Sequence, residues 1–227
     1  MQTPSRAIDF LPKYESVRKS EEGKRLYQTP EGTYYSVTTI LSGTRDESSL
    51  VAWRESIGEE RAERIVRTAC HRGDAHHANI EHLLLTGEEP KLNLLSRGYW
   101  KSTRTFLGSI RKMLVCEGAV WHPDKFAGAF DCLAYLDGDT DQPTLLDWKT
   151  ADSIRKPDKM YEYSLQVSAY TEACNYVYAN QGLKIQQAKI VVAIPDAEPQ
   201  IETLDAKALK QCYRHFKARV QRFTTRR

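Results

Sequence analysis

The spacing of apolar positions divides the chain into a helical first half, a strand-rich middle and a helical end. Polar residues 1–32 predict an irregular N-terminal segment. Thr33 to Leu41, TYYSVTTIL, is dense in β-branched and aromatic residues and predicts a strand or extended stretch. From Ser49 a helix is expected through Trp53, Ile57, Ile65 and Val66. A second should run from about His71 to Leu85, stopped by Thr86–Gly87 with Pro90 just beyond. A third covers Leu94 to Val115 and carries Trp100, Phe106, Leu107, Ile110 and Leu114.

The period then shortens to that of a strand. Val115, Ala119 and Trp121 fall on one parity, with Glu117 among them. Phe126 to Leu136 and Thr144 to Lys149 are the next two strands, joined by a polar loop opened by Asp137–Gly138. Lys159 to Ala179 reads as a long tyrosine-rich helix, and Lys189 to Ile194, KIVVAI, as a short buried strand. Leu209, Cys212, Phe216, Val220 and Phe223 give the last helix, about 203–227, one packing face. No repeat, low-complexity tract or linker interrupts this order, so we expect one domain over 1–227 with its core at about 70–195. The fold class is α/β: a central mixed sheet with an α-β-β-β-α-β core and added N- and C-terminal helices.

Composition adds little that changes this picture. With 227 residues, 41% of them apolar, the chain can bury a substantial core. No run is apolar enough for a membrane span or a signal peptide. Asp9 and Glu15 speak against a mitochondrial transit segment, so the expected location is the cytoplasm (the host's, for a viral source) rather than the mitochondrial matrix. The net charge of +3 says little about partners, but the stretch from Lys207 to Arg227 contains basic residues and no acid. Such a helix suits phosphate contacts or a solvated outer face equally well. The five cysteines are scattered without a C-x-x-C pair, which excludes a zinc ribbon and argues against a disulfide framework or an iron–sulfur cluster.

Candidate chemistry centres on F126-AGAFDCLAYLDGDTDQPTLLDWK-T150. Residues i and i+2 of a strand share a face, so Asp147 and Lys149 project together while Leu146 and Trp148 point into a core. With Asp131 on the neighbouring strand, two carboxylates and an ammonium meet on one patch. That patch can hold a divalent metal against a phosphate. Any single D-x-K is more often a chance surface pair, and other elements give this one its weight. Gly73, His77 and Glu81 are spaced by four on a helix, about 40° apart in direction. His77 could be a third ligand, or simply a helix-surface histidine. Tyr163, Gln166 and Tyr170 form a stripe on the long helix, and Gln166 is the member that packing explains least. Asp137, Asp139 and Asp141 superficially suggest a calcium loop, but Gln142 stands where the turn glycine should be and Trp148 where the bidentate Glu should be.

Together, Glu117, G128-A-F-D131, L146-D-W-K149, G73-x-x-x-H77 and Y163-x-x-Q166-x-x-x-Y170 resemble the PD-(D/E)xK nuclease superfamily. More narrowly they are similar to its RecB-like exonuclease branch, which includes the mitochondrial genome maintenance exonuclease and its phage and bacterial relatives. The resemblance covers about residues 33–195 and rests on five separated elements in the right order. It implies a restriction-endonuclease-like core and a DNA exonuclease using one or two Mg²⁺ or Mn²⁺ ions, with a preference for single strands or free ends. It implies His77, Asp131, Asp147 and the Trp148 carbonyl as metal ligands, Lys149 as the catalytic lysine, Glu117 as a supporting acid, and Gln166 and Tyr170 as flanking catalytic groups. A structure-specific endonuclease or a weakly catalytic DNA-binding adaptor in recombination or packaging are the alternatives. DNA is the expected partner, with Arg72, Lys101, Arg104, Arg111 and Tyr163 as candidate contacts and Trp100 or tyrosines as candidate stacking surfaces. Replication or recombination proteins would be further partners.

Overall fold

The structure is a computed structural model that describes residues 11–21, 23–138 and 142–225. Asp9, Asp139 and Asp141 therefore lie outside the described residues. Polar chain becomes strand where its backbone finds a neighbour. Val17–Glu21 (β1) is exposed along its whole length, yet it pairs antiparallel with Lys24–Thr29 (β2). Strand β2 pairs in turn with Gly32–Ser36 (β3). The irregular segment expected over 1–32 is thus a hairpin from Val17 onward. Only Leu26 and Tyr27 of its first two strands are buried, so the apolar alternation is too weak to read and the ladder carries the structure.

TYYSVTTIL is likewise half strand and half helix. The Ser36 hydroxyl accepts the Thr39 N–H at 2.9 Å, an N-cap that starts Val37–Ser42 (α1). Ser48–Ile57 (α2) and Glu59–Thr86 (α3) are separated at Gly58, whose φ of 82° few other residues adopt. The helix break expected after Val66 does not exist, and α3 runs for 28 residues. Arg97–Leu107 (α4) ends at Gly108, and Ile110–His122 (β4) begins inside the stretch expected to be helical. Ile110, Leu114 and Val115 suit either period, and pairing with the next strand decides between them.

Phe126–Leu136 (β5) and Thr144–Thr150 (β6) complete an antiparallel set with β4. Pro157–Val177 (α5) then crosses over to Gln187–Ala193 (β7), which lies parallel to β6. Gln200–Leu204 (β8), not foreseen, adds an edge strand, and Ala206–Thr225 (α6) closes the described chain. The eight strands form one mixed sheet in the order β1-β2-β3-β5-β6-β7-β8, with β4 on β5. The expected α-β-β-β-α-β core is present as α4, β4, β5, β6, α5 and β7.

The topology opens a fork. Strand β4 pairs along one entire edge of β5. Strands β3 and β6 must share the other edge, β3 at Phe126–Ala127 and β6 at Cys132–Ala134. Residues 128–131 of that edge are left between them. Helices α3 and α4 cover one face of the sheet, with Ile80, Trp100 and Leu107 packed on Cys132, Leu146 and Trp148. Helices α1, α5 and α6 cover the other, where Ile40, Leu165 and Phe216 join Phe130, Leu133 and Leu145. Among the described residues no helix is long and apolar enough to cross a membrane.

Candidate active site

Three acids stand side by side across three strands at the fork. The β5–β6 register pairs Cys132 with Leu146, which sets Asp131 beside Asp147. The β4–β5 register pairs Cys116 with Cys132 and Gly118 with Phe130, which sets Glu117 opposite Asp131. Like charges in that relation oppose folding. Glu117 also has a φ of 53°, a strained backbone for a residue other than glycine. Strain and like-charge crowding thus coincide at one point of the sheet.

The surrounding groups partly offset the crowding. The Trp148 N–H donates to Asp131 Oδ2 at 2.7 Å, where β6 splays from β5. Asp147 is fully buried, and Lys149 Nζ lies 2.5 Å from its Oδ2. That contact is a charge-assisted ion pair in which the ammonium is the partner of Oδ2. Burial, reinforced by the Asp131 charge, pushes the Asp147 carboxyl up to about 6 against the pull of Lys149. Burial opposes the charge on Lys149, but Asp147 and Asp131 outweigh it and raise its pKa above the ordinary lysine value. Lys149 is therefore a fixed ammonium, with its Nζ 5.4 Å from the centre of the Tyr163 ring.

His77 enters from α3. Its Nε2 lies 2.9 Å from the Trp148 carbonyl, and a carbonyl can only accept, so Nε2 carries the proton. Nδ1 then faces the acids, 3.6 Å from Asp131 Oδ1 and 3.8 Å from Glu117 Oε1. Burial lowers the His77 pKa, but the Asp131 and Glu117 carboxylates more than compensate and bring it to about 9. His77, Glu117 and Asp131 each offer an atom within 4.8 Å of the others. These oxygens and one imidazole nitrogen suit a hard divalent cation, and Asp147, paired with Lys149, lies beside Asp131. The Trp148 carbonyl accepts from His77 Nε2 and so orients the ring, with a second lone pair left on its oxygen.

Glu117, Asp131, His77 and Lys149 line a cleft of about 500 Å³, whose wall also includes Gly73, Glu81, Gln166 and Tyr170, and Asp147 lies buried directly behind Lys149. Gln166 Nε2 reaches Asp147 Oδ1 at 3.4 Å and the Tyr170 hydroxyl at 3.5 Å, both long contacts. The Tyr170 ring lies against Gly128 of β5. Neighbouring His76 points into the interior, is fully buried and has its pKa lowered to about 4 by burial and by the charge of His77.

The DNA-contact candidates fare differently. Arg72 lies beside the cleft rather than in it. Its Nη1 pairs with Asp152 at 2.6 Å, and its guanidinium lies 4.7 Å from the centre of the Tyr99 ring. Arg104 is held by Glu89 at 2.5 Å, and exposed Lys101 follows the α4 surface; neither lines the cleft. Trp100 is buried and donates to Glu89, so it cannot stack on a base. Arg111 lies 5.7 Å from the Tyr135 ring centre. Tyr163 lines an adjoining groove. Residues that sequence reasoning missed complete the cleft wall: Arg18, Arg25 and Tyr27 from the β1–β2 hairpin, and Thr38 from α1. The available signal was Gly23 between two basic polar runs, a hairpin pattern without apolar alternation.

Fold and site together define a class: an α/β sandwich whose sheet forks around a buried acid–lysine pair and a histidine–carboxylate cluster. No protein-family model matches the sequence, and no curated protein does. Among solved structures, the chain is similar to a protein from Eubacterium rectale assigned as an exonuclease, at 15% identity and a TM-score of 0.47, over 69% of this chain and 66% of that one. It is also similar to SSO0001, at 13% identity and a TM-score of 0.37, over 80% and 73% of the two chains. A third is LHK-Exo in complex with dAMP, at 18% identity and a TM-score of 0.34, over 67% and 80%. At these values the likeness carries no argument about activity.

Proposed function

We propose that this protein is a divalent-metal-dependent deoxyribonuclease of the PD-(D/E)xK kind, acting as an exonuclease on single-stranded DNA or DNA ends. The observation that carries the reading is the meeting of Glu117, Asp131, His77 and Lys149 in one cleft, with Asp147 buried behind Lys149, from three strands and a helix. Structural packing gives no reason to place three acids on adjacent strands, one of them fully buried against a lysine. A binding module would have no need for that arrangement.

Asp131, Asp147, Glu117 and His77 Nδ1 would hold Mg²⁺ or Mn²⁺. When bound, such an ion neutralises phosphate charge and makes a coordinated water acidic enough to attack. The Trp148 carbonyl holds the proton on His77 Nε2, so that the proton a metal ion would displace is the one on Nδ1, toward the acids. The Lys149 ammonium donates to the attacking water or to a phosphoryl oxygen as charge builds there. Gln166 steadies the Asp147 carboxylate through Oδ1. In-line attack with the 3′ oxygen leaving gives a 5′-phosphate and a 3′-hydroxyl.

The test is one digestion series on end-labelled single-stranded, duplex and circular DNA with Mg²⁺, Mn²⁺ or EDTA. The reading expects cleavage of linear single strands or ends that EDTA abolishes. Cleavage of closed circles would convert it to an endonuclease, and no cleavage with either metal would overturn it.

A further inference from the structure

A second groove opens from the active-site cleft. It has a volume of about 350 Å³ and lies between α1 and the start of α5. Thr38 and Gln166 line both hollows, so the two adjoin. Tyr163, whose ring faces the Lys149 ammonium, also lines this groove. Its cationic lining includes Arg155 and Lys159, neither of which has an ion pair among the described residues. Its acid, Glu162, is already taken by Arg219.

Arg155 is held in place by its backbone. The Gln200 side chain accepts its N–H at 2.7 Å and donates to its carbonyl at 3.2 Å. The guanidinium is poorly satisfied by comparison. Its Nε is buried without a hydrogen-bond partner, and Nη2 makes a long 3.4 Å contact to the Thr150 carbonyl. Thr150 directly follows Lys149. A half-buried guanidinium with an unpartnered Nε and no carboxylate suits an oxyanion, and its planar fork matches phosphate. The other cationic hollow, along α3, is less available because Asp152 pairs with its Arg72.

We propose that this groove carries one nucleic-acid strand past the active site, with Arg155 and Lys159 gripping a backbone phosphate next to the scissile one. The proposal rests on the nuclease reading. The groove's volume falls at the low end of the roughly 300–1,000 Å³ of ordinary ligand sites.

The experiment measures binding of a fluorescein-labelled oligothymidylate to the full chain in EDTA, over a range of salt concentrations. Arg155→Gln should bind about tenfold more weakly, with the salt slope reduced by about one phosphate contact. Arg155→Lys should recover part of that loss, because charge returns without the fork. Affinity and slope equal to the parent chain in Arg155→Gln would overturn the proposal. Should Arg155→Gln fail to fold by circular dichroism, Lys159→Ala, on the exposed helix surface, decides. Weaker binding supports the groove, and parental binding overturns it. Magnesium-dependent cleavage of the same oligonucleotide by the parent chain tests the nuclease reading separately. Arg155-dependent binding without cleavage would refute the nuclease and keep the groove, and cleavage with Arg155-independent binding would do the reverse.

Discussion

Gly128→Ala tests how closely α5 is fitted to the fork. A Cβ at residue 128 would lie 2.7 Å from Tyr170 Cε1 and 3.3 Å from its hydroxyl. Tyr170 is 4% exposed and Phe130 and Leu133 fill the same core, so the ring has little room to retreat. Overpacking of this kind costs about 1–3 kcal/mol. For a chain of this size about 1 kcal/mol moves the melting point by roughly 2–4 °C, so the expected fall is about 2–12 °C. Gly128 is not among the positive-φ residues, so alanine meets no backbone penalty and the whole cost comes from the ring. A double-mutant cycle isolates it. In a Tyr170→Leu background the ring atoms are gone, and Gly128→Ala should then cost close to nothing, a coupling of about 1–3 kcal/mol. Thermal and urea unfolding followed by circular dichroism would measure both backgrounds. The same displacement should slow cleavage, since Tyr170 and Gln166 back Asp147. Parental stability in Gly128→Ala, or an equal cost in both backgrounds, would refute the reasoning.

Asp147→Asn should lower cleavage by on the order of 10²–10³-fold, the scale for losing one preorganised charged group, while oligonucleotide binding persists. Full activity in that variant, by gel assay, would remove Asp147 from the site. His77→Ala should weaken Mn²⁺ binding in a calorimetric titration with a small change in melting point. His76→Ala should do the opposite, because His76 is fully buried and its loss leaves a cavity. Asp124 accepts from the Tyr213 hydroxyl at 2.7 Å and lies 3.1 Å from Lys217 Nζ, both on α6. Burial raises its pKa, but these contacts prevail and hold it below the ordinary carboxylate value. Its contribution is therefore present above the unfolded-state value and lost as pH falls through the lower folded value. Asp124→Asn should destabilise at neutral pH by about 1 kcal/mol and flatten the fall in melting point below about pH 4.

What the chain determined locally is what repeats at short range. The parity of Leu146, Asp147, Trp148 and Lys149 put acid and lysine on one face and Leu146 and Trp148 in the α3–α4 core. Four-residue spacing put Gly73, His77 and Glu81 on one wall of the cleft. The α-β-β-β-α-β order followed from the change of period, because helix and strand differ in where they repeat apolar side chains. Boundaries failed where two periods fit equally, as at Ile110 to Val115, or where one backbone feature decided, as at Gly58 and the Ser36 cap. The β1–β2 hairpin and β8 stayed hidden because their ladders bury almost no side chains.

Only the tertiary structure decided which nitrogen of His77 faces the acids, since the Trp148 carbonyl that fixes it is 71 residues away in sequence. It also decided that Arg72 and Arg104 are held by Asp152 and Glu89, and that Trp100 is core. Charge alone cannot separate a basic residue that meets a ligand from one already neutralised by its own chain. The fork itself is a long-range event, in which β3 and β6 compete for one edge of β5. Nothing in either strand's own sequence specifies where its neighbour stops.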